Sequence, residues 1–356
     1  MIKKAAGKFS QFIFNRYKKN EAALHELNYL FWECTRRCNL RCIHCGSDCS
    51  ADSETPDLPF EDFLKAALPL REKYKNVHIT VAITGGEPLL RKDLAQCGRI
   101  LREHGFGWGI VTNGYDYSPY IHGRLLAAGM GSLTLSLDGL ESSHNWLRSN
   151  NQSFERAVKA LELITTASHI NYDVVTCVNQ RNIHELEEIK KLLISLNVRA
   201  WRLFTITPIG RAAQYEELFL QPGQLRQLMD FIVTARNENR IKVNFCCEAF
   251  TGDYELKVRD NYFFCRAGIQ VASVMIDGSI SACPNINRCF IQGNIYHDNF
   301  LDVWDNKFLV MRDRSWTKTG MCLDCREYKN CNGGALHQWN EKKDEIMTCV
   351  YQRLHN

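Results

Sequence analysis

Between residues 27 and 206 the chain alternates, six times over, between short apolar runs and longer segments of helical periodicity. The runs fall near 27–34, 77–84, 107–112, 132–137, 171–178 and 199–206. The helical segments fall near 59–74, 91–104, 117–129, 153–167 and 182–196. Repeated strand–helix units build a parallel sheet through right-handed crossovers. Six units are too few for a closed eight-stranded barrel, so the pattern predicts an α/β fold with a partial (β/α)6 barrel. In that geometry the functional residues gather at the C-terminal ends of the strands. Past residue 221 the rhythm stops. One helix is expected at 222–239, then cysteines crowd to the end of the chain. The organisation predicted is an N-terminal helix over 1–26, a barrel over 27–215 and a small cysteine-bound domain over 216–356.

The strand ends carry chemistry. The first leads into Cys38-Asn39-Leu40-Arg41-Cys42-Ile43-His44-Cys45, three thiols in one polar loop. Thiolates suit zinc or iron–sulfur clusters. A structural zinc site takes four closed ligands. Three thiols in a single loop suit a cubane held by three irons, with the fourth iron free to bind a small molecule. The second strand ends in Thr84-Gly85-Gly86-Glu87-Pro88, where two glycines let a backbone approach a ligand and a carboxylate can pair with an ammonium group. The third ends in Thr112-Asn113-Gly114 and the fourth in Ser136-Leu137-Asp138-Gly139. Short polar side chains there can hydrogen-bond a ribose or a carboxylate; Asp138 reads equally well as an Asp-Gly turn.

CxxxCxxC followed 47 residues later by GGEP resembles the radical S-adenosylmethionine (SAM) enzymes. The resemblance implies a TIM-type partial barrel and a [4Fe-4S] cluster on Cys38, Cys42 and Cys45. In that family the open iron binds SAM, and one electron splits it to methionine and a 5'-deoxyadenosyl radical that abstracts hydrogen. Gly85, Gly86, Glu87 and Pro88 stand in the family's amino-group motif, and Thr112-Asn113-Gly114 in its TNG turn. Ser136 is expected to touch SAM, with Asp138 a second candidate. His44 replaces the aromatic residue that usually packs by the adenine. Arg148 matches a common arginine that can meet the SAM carboxylate or a substrate, and also reads as a surface salt bridge. Val178-Asn179 and Pro208-Ile209-Gly210-Arg211 close the fifth and sixth strands, where relatives contact adenosine or substrate.

The late cysteines resemble the SPASM extension of that family, which houses auxiliary [4Fe-4S] clusters. Cys265, Gly278 and Cys283 fit its first half; Cys322, Cys325, Cys331 and Cys349 fit its second, a set that also reads as zinc. Residues 271–276 and 279–282, joined by Asp277-Gly278, predict a β-hairpin. Relatives carry one more cysteine, four residues after Cys331; here it is Ala335. The cluster on Cys265 and Cys283 is therefore short of a ligand, with Cys246, Cys247 or Cys289 as replacements. One or two auxiliary clusters are expected. Cys34, Cys97 and Cys177 read as small buried hydrophobes and Cys49 as structural.

The rest of the composition narrows the class. Sixteen cysteines in 356 residues, with no signal peptide, point to reduced thiols in a cytoplasm rather than to disulfides. A net charge of +4 does not call for nucleic acid. Residues 1–20 hold six basic side chains and no acid, with apolar positions at helical spacing. They predict a helix packed on the barrel, or else one meeting a membrane surface through residues 2–19. The resemblance implies a peptide or protein substrate and an electron donor such as ferredoxin or flavodoxin. Pro284, where sulfatase maturases carry an acid, argues against that branch. Tetrapyrrole side-chain chemistry is the second reading, since haem-biosynthesis relatives share a run like that from Thr35 to Cys42. A non-catalytic iron–sulfur scaffold is the third.

Overall fold

The structure is a computed structural model. It describes residues 2–246 and 248–355, with side chains from residue 9 onward. A single ten-stranded sheet runs through it: β1 (Tyr29–Thr35), β2 (Thr80–Gly85), β3 (Gly107–Thr112), β4 (Ser132–Ser136), β5 (Asn171–Val178), β6 (Ala200–Thr205), β7 (Lys242–Phe245), β8 (Val271–Val274), β9 (Ser279–Ser281) and β10 (Gly293–Asn294). Its order is β10-β9-β8-β1-β2-β3-β4-β5-β6-β7. From β8 through β1 to β7 every pairing is parallel; β8, β9 and β10 are joined antiparallel.

The six alternations and the hairpin are thus present. β7 to β10 lie beyond residue 215, yet they extend both flanks of the same sheet. β8 pairs with β1 from Tyr29↔Val271 to Trp32↔Val274. The first strand therefore lies inside the sheet, and the loop that follows it opens at the middle of the mouth.

Helices α1 (Ile2–Leu24), α2 (Phe60–Lys73), α3 (Leu94–Glu103), α4 (Pro119–Ala127), α5 (Glu141–Arg148), α6 (Ser153–Ile164), α7 (Leu186–Ser195) and α8 (Pro222–Glu238) complete this part of the chain. Their starts follow local chemistry. Pro119 opens α4, and the Ser118 hydroxyl accepts from the Ile121 amide at 3.3 Å. Gln221 and Gln224 form a reciprocal cap around Pro222 at α8. Between sheet and helices lies one apolar core with Trp32, Trp108 and Trp201 wholly buried. Trp32 stacks on Phe63 of α2 at 4.9 Å, which pins β1 to the first crossover. Cys34 and Cys97 are buried in this core.

α1 is helical as the spacing predicts, but it docks on the cysteine-rich region instead of the barrel. Phe14 lies against Tyr262, Asn15 bonds Asn330, and the Lys18 ammonium donates to the Asn330 carbonyl at 2.7 Å.

Candidate functional site

The loop after β1 is held from several directions. Gly86 and Glu87 donate their amides to the carbonyls of Thr35 and Arg37 at 2.7 and 2.9 Å. A Cβ on Gly86 would fall 2.2 Å from the Arg37 oxygen, and one on Gly85 2.2 Å from that of Thr35. Both glycines are therefore needed for β2 to end against the thiol loop. From β3, the Asn113 amide nitrogen donates to Asn39 Oδ1 at 2.8 Å and reaches Cys38 Sγ at 3.9 Å. From beyond β6, Arg211 donates to the carbonyls of Cys42 and Cys49 at 2.9 and 3.1 Å and pairs with Asp48 at 2.6 Å. Its own amide donates to the Cys45 carbonyl. The exits of the first and sixth strands thus meet across the mouth.

Cys38 and Cys42 are buried, Cys45 half-buried, and the three pack with Leu40, Cys49 and Tyr115. Burial pushes the Cys38 thiol up to about 12. Cys45 is held below the ordinary thiol range, first by the hydrogen bond from Cys49 and then by the Arg211 charge among others. The fifteen described cysteines are all free thiols.

Three predicted residues, Arg148, Asp138 and Glu87, take positions that the sequence did not reveal. Arg148, at the end of α5, is buried. Its guanidinium pairs with Asp138 at 2.5 Å and reaches Cys42 Sγ at 3.7 Å. The surface salt bridge is therefore a buried one, because α5 returns under the thiol loop. Burial alone would raise the Asp138 carboxyl; the Arg148 charge foremost, helped by the Cys177 amide, outweighs it and holds it below 3.8. Asp138 is no simple turn residue: its other oxygen accepts from the Cys177 amide at 2.8 Å. Glu87 points inward. Its carboxylate accepts from Thr112 Oγ1, the Asn113 amide and the Leu89 amide at 2.8, 2.8 and 3.1 Å. Burial lifts it to about 7. The Gly85-Gly86 backbone packs against the Thr35–Arg37 backbone at the exit of β1. Pro88, also buried, starts the short helical turn that Glu87 caps.

The ring of His44 lies under the loop. Burial lowers it to about 4, and its Nδ1 has no hydrogen-bond partner among the described residues. Nor does any described residue bond the Ser136 hydroxyl at the end of β4.

The second cysteine set converges elsewhere. Cys322, Cys325, Cys331 and Cys349 line one small cavity with Phe250, Tyr328 and Tyr351. Cys265 lines another, beside Cys331, Lys18, Arg312 and Arg314. No acidic side chain lines it, so its cations suit an anionic, thiolate-bound cluster. Ala335 is buried against this place, with Phe250, Phe263, Cys265 and Cys331. Cys283 is not on that wall. Cys246 is buried just past β7 and Cys289 lies near Lys343 and Glu341; Cys247 lies outside the described residues.

The spread of sulfurs separates a cluster from a single ion. Ligands at 2.3 Å around a tetrahedral ion stand about 3.8 Å apart. Among the described residues the one trio of His, Cys, Asp or Glu ligand atoms within 4.8 Å of one another is His44, Asp138 and Cys177. Arg148 and the Cys177 amide already occupy that carboxylate. Among the described residues neither cysteine set brings three sulfurs within 4.8 Å of one another, so both are wider than one ion needs, and both offer soft donors. The residues present fit iron–sulfur clusters.

A largely parallel sheet with a thiol loop at its strand ends, and a second cavity lined by four more thiols, suits an α/β protein that holds iron–sulfur clusters. Comparison with known proteins makes the class specific. The family model of the Radical SAM superfamily matches residues 32–193, and that of SPASM, an iron-sulfur cluster-binding domain, matches 265–326. Mycofactocin maturase MftC of Mycolicibacterium smegmatis is 28% identical over 310 residues, 86% of this chain and 77% of that protein. AdoMet-dependent heme synthase of Methanosarcina barkeri is 25% identical over 343 residues, covering 90% and 95%. The structure of Streptococcus suis SuiB bound to precursor peptide SuiA superposes with a TM-score of 0.70 at 18% identity, over 95% of this chain and 79% of that one. The chain belongs to the radical SAM superfamily and carries a C-terminal SPASM domain. It is a radical SAM enzyme whose cofactors are a [4Fe-4S] cluster, SAM and auxiliary iron–sulfur clusters.

Proposed function

We propose that this enzyme oxidises or cross-links a peptide or protein side chain, with Cys38, Cys42 and Cys45 holding the catalytic cluster. The observation that carries the reading is the open sheet. Its order is linear, with β10 and β7 at unpaired ends, so the mouth has a side through which a polypeptide can enter. A peptide maturase among the relatives and a peptide-bound structural neighbour support it.

When bound, the cluster supplies one electron that cleaves SAM, and the adenosyl radical so released takes a hydrogen atom from the substrate. The chain's own residues set the conditions. Asn113 and Arg148 direct N–H groups at the sulfurs of Cys38 and Cys42, which favours the more negative, reduced state. The Gly85-Gly86 backbone offers close approach for the SAM amino group. Ser136 has a hydroxyl to spare for the nucleoside, and His44 is neutral at physiological pH. Radical chemistry needs one C–H bond placed and water excluded. The barrel mouth provides the first through rigid strand ends.

Cys322, Cys325, Cys331 and Cys349 are proposed to hold one auxiliary cluster, and Cys265 to contribute to a second. Such clusters can carry electrons away after hydrogen abstraction, toward a donor–acceptor protein such as ferredoxin or flavodoxin. The likeness to AdoMet-dependent heme synthase over nearly the whole of both chains favours a second reading, oxidation of a tetrapyrrole side chain. Mass spectrometry decides between them. Peptides or proteins encoded beside the gene are co-expressed with and without the enzyme, and an iron porphyrin is incubated with it in parallel. A mass loss of about 2 Da per new bond, in the peptide arm alone, is expected. Change in the porphyrin alone would overturn the first reading.

A further inference from the structure

The two faces of α1 do opposite things. One is docked. Phe14 meets Tyr262 and Phe264 with ring centroids 5.5 and 6.4 Å apart, Asn15 donates to Asn330 at 2.9 Å, and Ser10 bonds Tyr262 at 2.7 Å. The Lys18 side chain, 4% exposed, is fixed on the Asn330 carbonyl. These contacts set the rotation of the helix about its axis.

The opposite face is therefore held outward by design of the docked one. Phe9, Phe12 and Ile13 are 66%, 57% and 51% exposed. Their spacing of three and four puts them in one stripe. Arg16 continues the stripe and stands 5.8 Å over the Phe12 ring. Lys18 and Lys19 face the Cys265 cavity, but positions 3, 4, 8 and 16 are also Lys or Arg, and no acid occurs before Glu21.

We infer that this face of α1 docks on an anionic lipid bilayer, independently of the reaction at the barrel mouth. Aromatic and aliphatic side chains in a stripe enter the boundary between headgroups and acyl chains, while flanking cations meet the anionic headgroups. A second copy of the chain would bring like charges together. A stable protein interface takes roughly 800 Å² from each partner, whereas three such side chains supply about 500 Å². A bilayer needs neither shape complementarity nor that area.

The test is flotation of the full-length holoprotein with vesicles of phosphatidylglycerol and phosphatidylcholine, and with phosphatidylcholine alone. Partitioning to the anionic vesicles should be at least about tenfold stronger, and should fall with added salt. The variant Phe9→Ser/Phe12→Ser/Ile13→Ser should lose about tenfold in partitioning while keeping its iron and its SAM cleavage, since these side chains lie outside the site. Lys3→Glu/Lys4→Glu/Lys8→Glu should lose as much, and decides alone if the serine variant loses iron. Equal binding to both vesicles, or unchanged binding by the variants, overturns the inference. So does a dimer, seen by light scattering, that the serine variant converts to monomer.

Discussion

Replacing Arg148 by Met would leave Asp138 buried without its cation, and the structure sets the size of the effect. Asp138 is fully buried, with Arg148 against one oxygen at 2.5 Å and the Cys177 amide against the other at 2.8 Å. Removing one partner of a buried pair costs about 3–5 kcal/mol, because the remaining charge has no water to turn to. At roughly 2 °C per kcal/mol for a domain of this size, the melting temperature of the Arg148→Met protein should fall by about 6–10 °C at pH 7.5. Differential scanning fluorimetry reads this directly.

The pH dependence distinguishes the mechanism from a mere packing defect. In the parent protein the folded carboxyl sits below its unfolded value of 3.8. Its stabilisation is complete above that value and is lost as pH falls through the folded one. Without Arg148, burial dominates and the carboxyl rises above its unfolded value. Folding then disfavours the ionised form, so the variant's deficit should shrink as pH falls from 7.5 toward 4.5. Asp138→Leu together with Arg148→Met should recover most of the loss, since neither charge remains. A shift under 2 °C, or a deficit constant with pH, would refute the reasoning. A separate readout concerns the sulfur. Losing the donor 3.7 Å from Cys42 Sγ should make the cluster harder to reduce, so its potential should move negative. A potential that stays still while the melting temperature drops would leave Arg148 a purely structural role.

Three further outcomes are expected. Cys38→Ala/Cys42→Ala/Cys45→Ala should abolish cleavage of SAM to 5'-deoxyadenosine while auxiliary iron remains; surviving cleavage would remove these thiols from the catalytic site. Reconstituted protein should carry about twelve irons if three cubanes form, with the second auxiliary cluster altered but present. A count near eight would mean that this cluster is lost, and Ala335→Cys, beside Cys265, should then raise it. Glu87→Gln should destabilise by about 1–3 kcal/mol in urea denaturation, because an amide NH2 must face a donor that now meets a carboxylate oxygen. No loss would show that Glu87 does not tie β2 to β3.

The parts of the site that could be read from the chain are those whose geometry is local. Cys38, Cys42 and Cys45 lie within one loop, and Gly85, Gly86 and Glu87 within one turn, so spacing alone places them. The six barrel strands follow from periodicity, which is likewise local. What escaped the reading spans long separations. Arg148 reaches Cys42 across 106 residues and Arg211 reaches the same loop across 169. Both are candidates for contact with cofactor or substrate, but nothing local in the sequence says that they turn back on the thiol loop instead. The pairing of β8 with β1 escaped for the same reason, and it moves the thiol loop from an edge to the interior of the sheet. Glu87 is the instructive middle case. Its motif could be read, and its role at a strand end follows from that. Yet whether a carboxylate faces ligand or protein depends on donors supplied by another strand, Thr112 and Asn113 at the end of β3. A sequence motif thus locates a strand end more securely than it assigns the direction in which its side chains point. The thiol loop is thus held from the ends of β2, β3, α5 and β6, elements far apart in the chain.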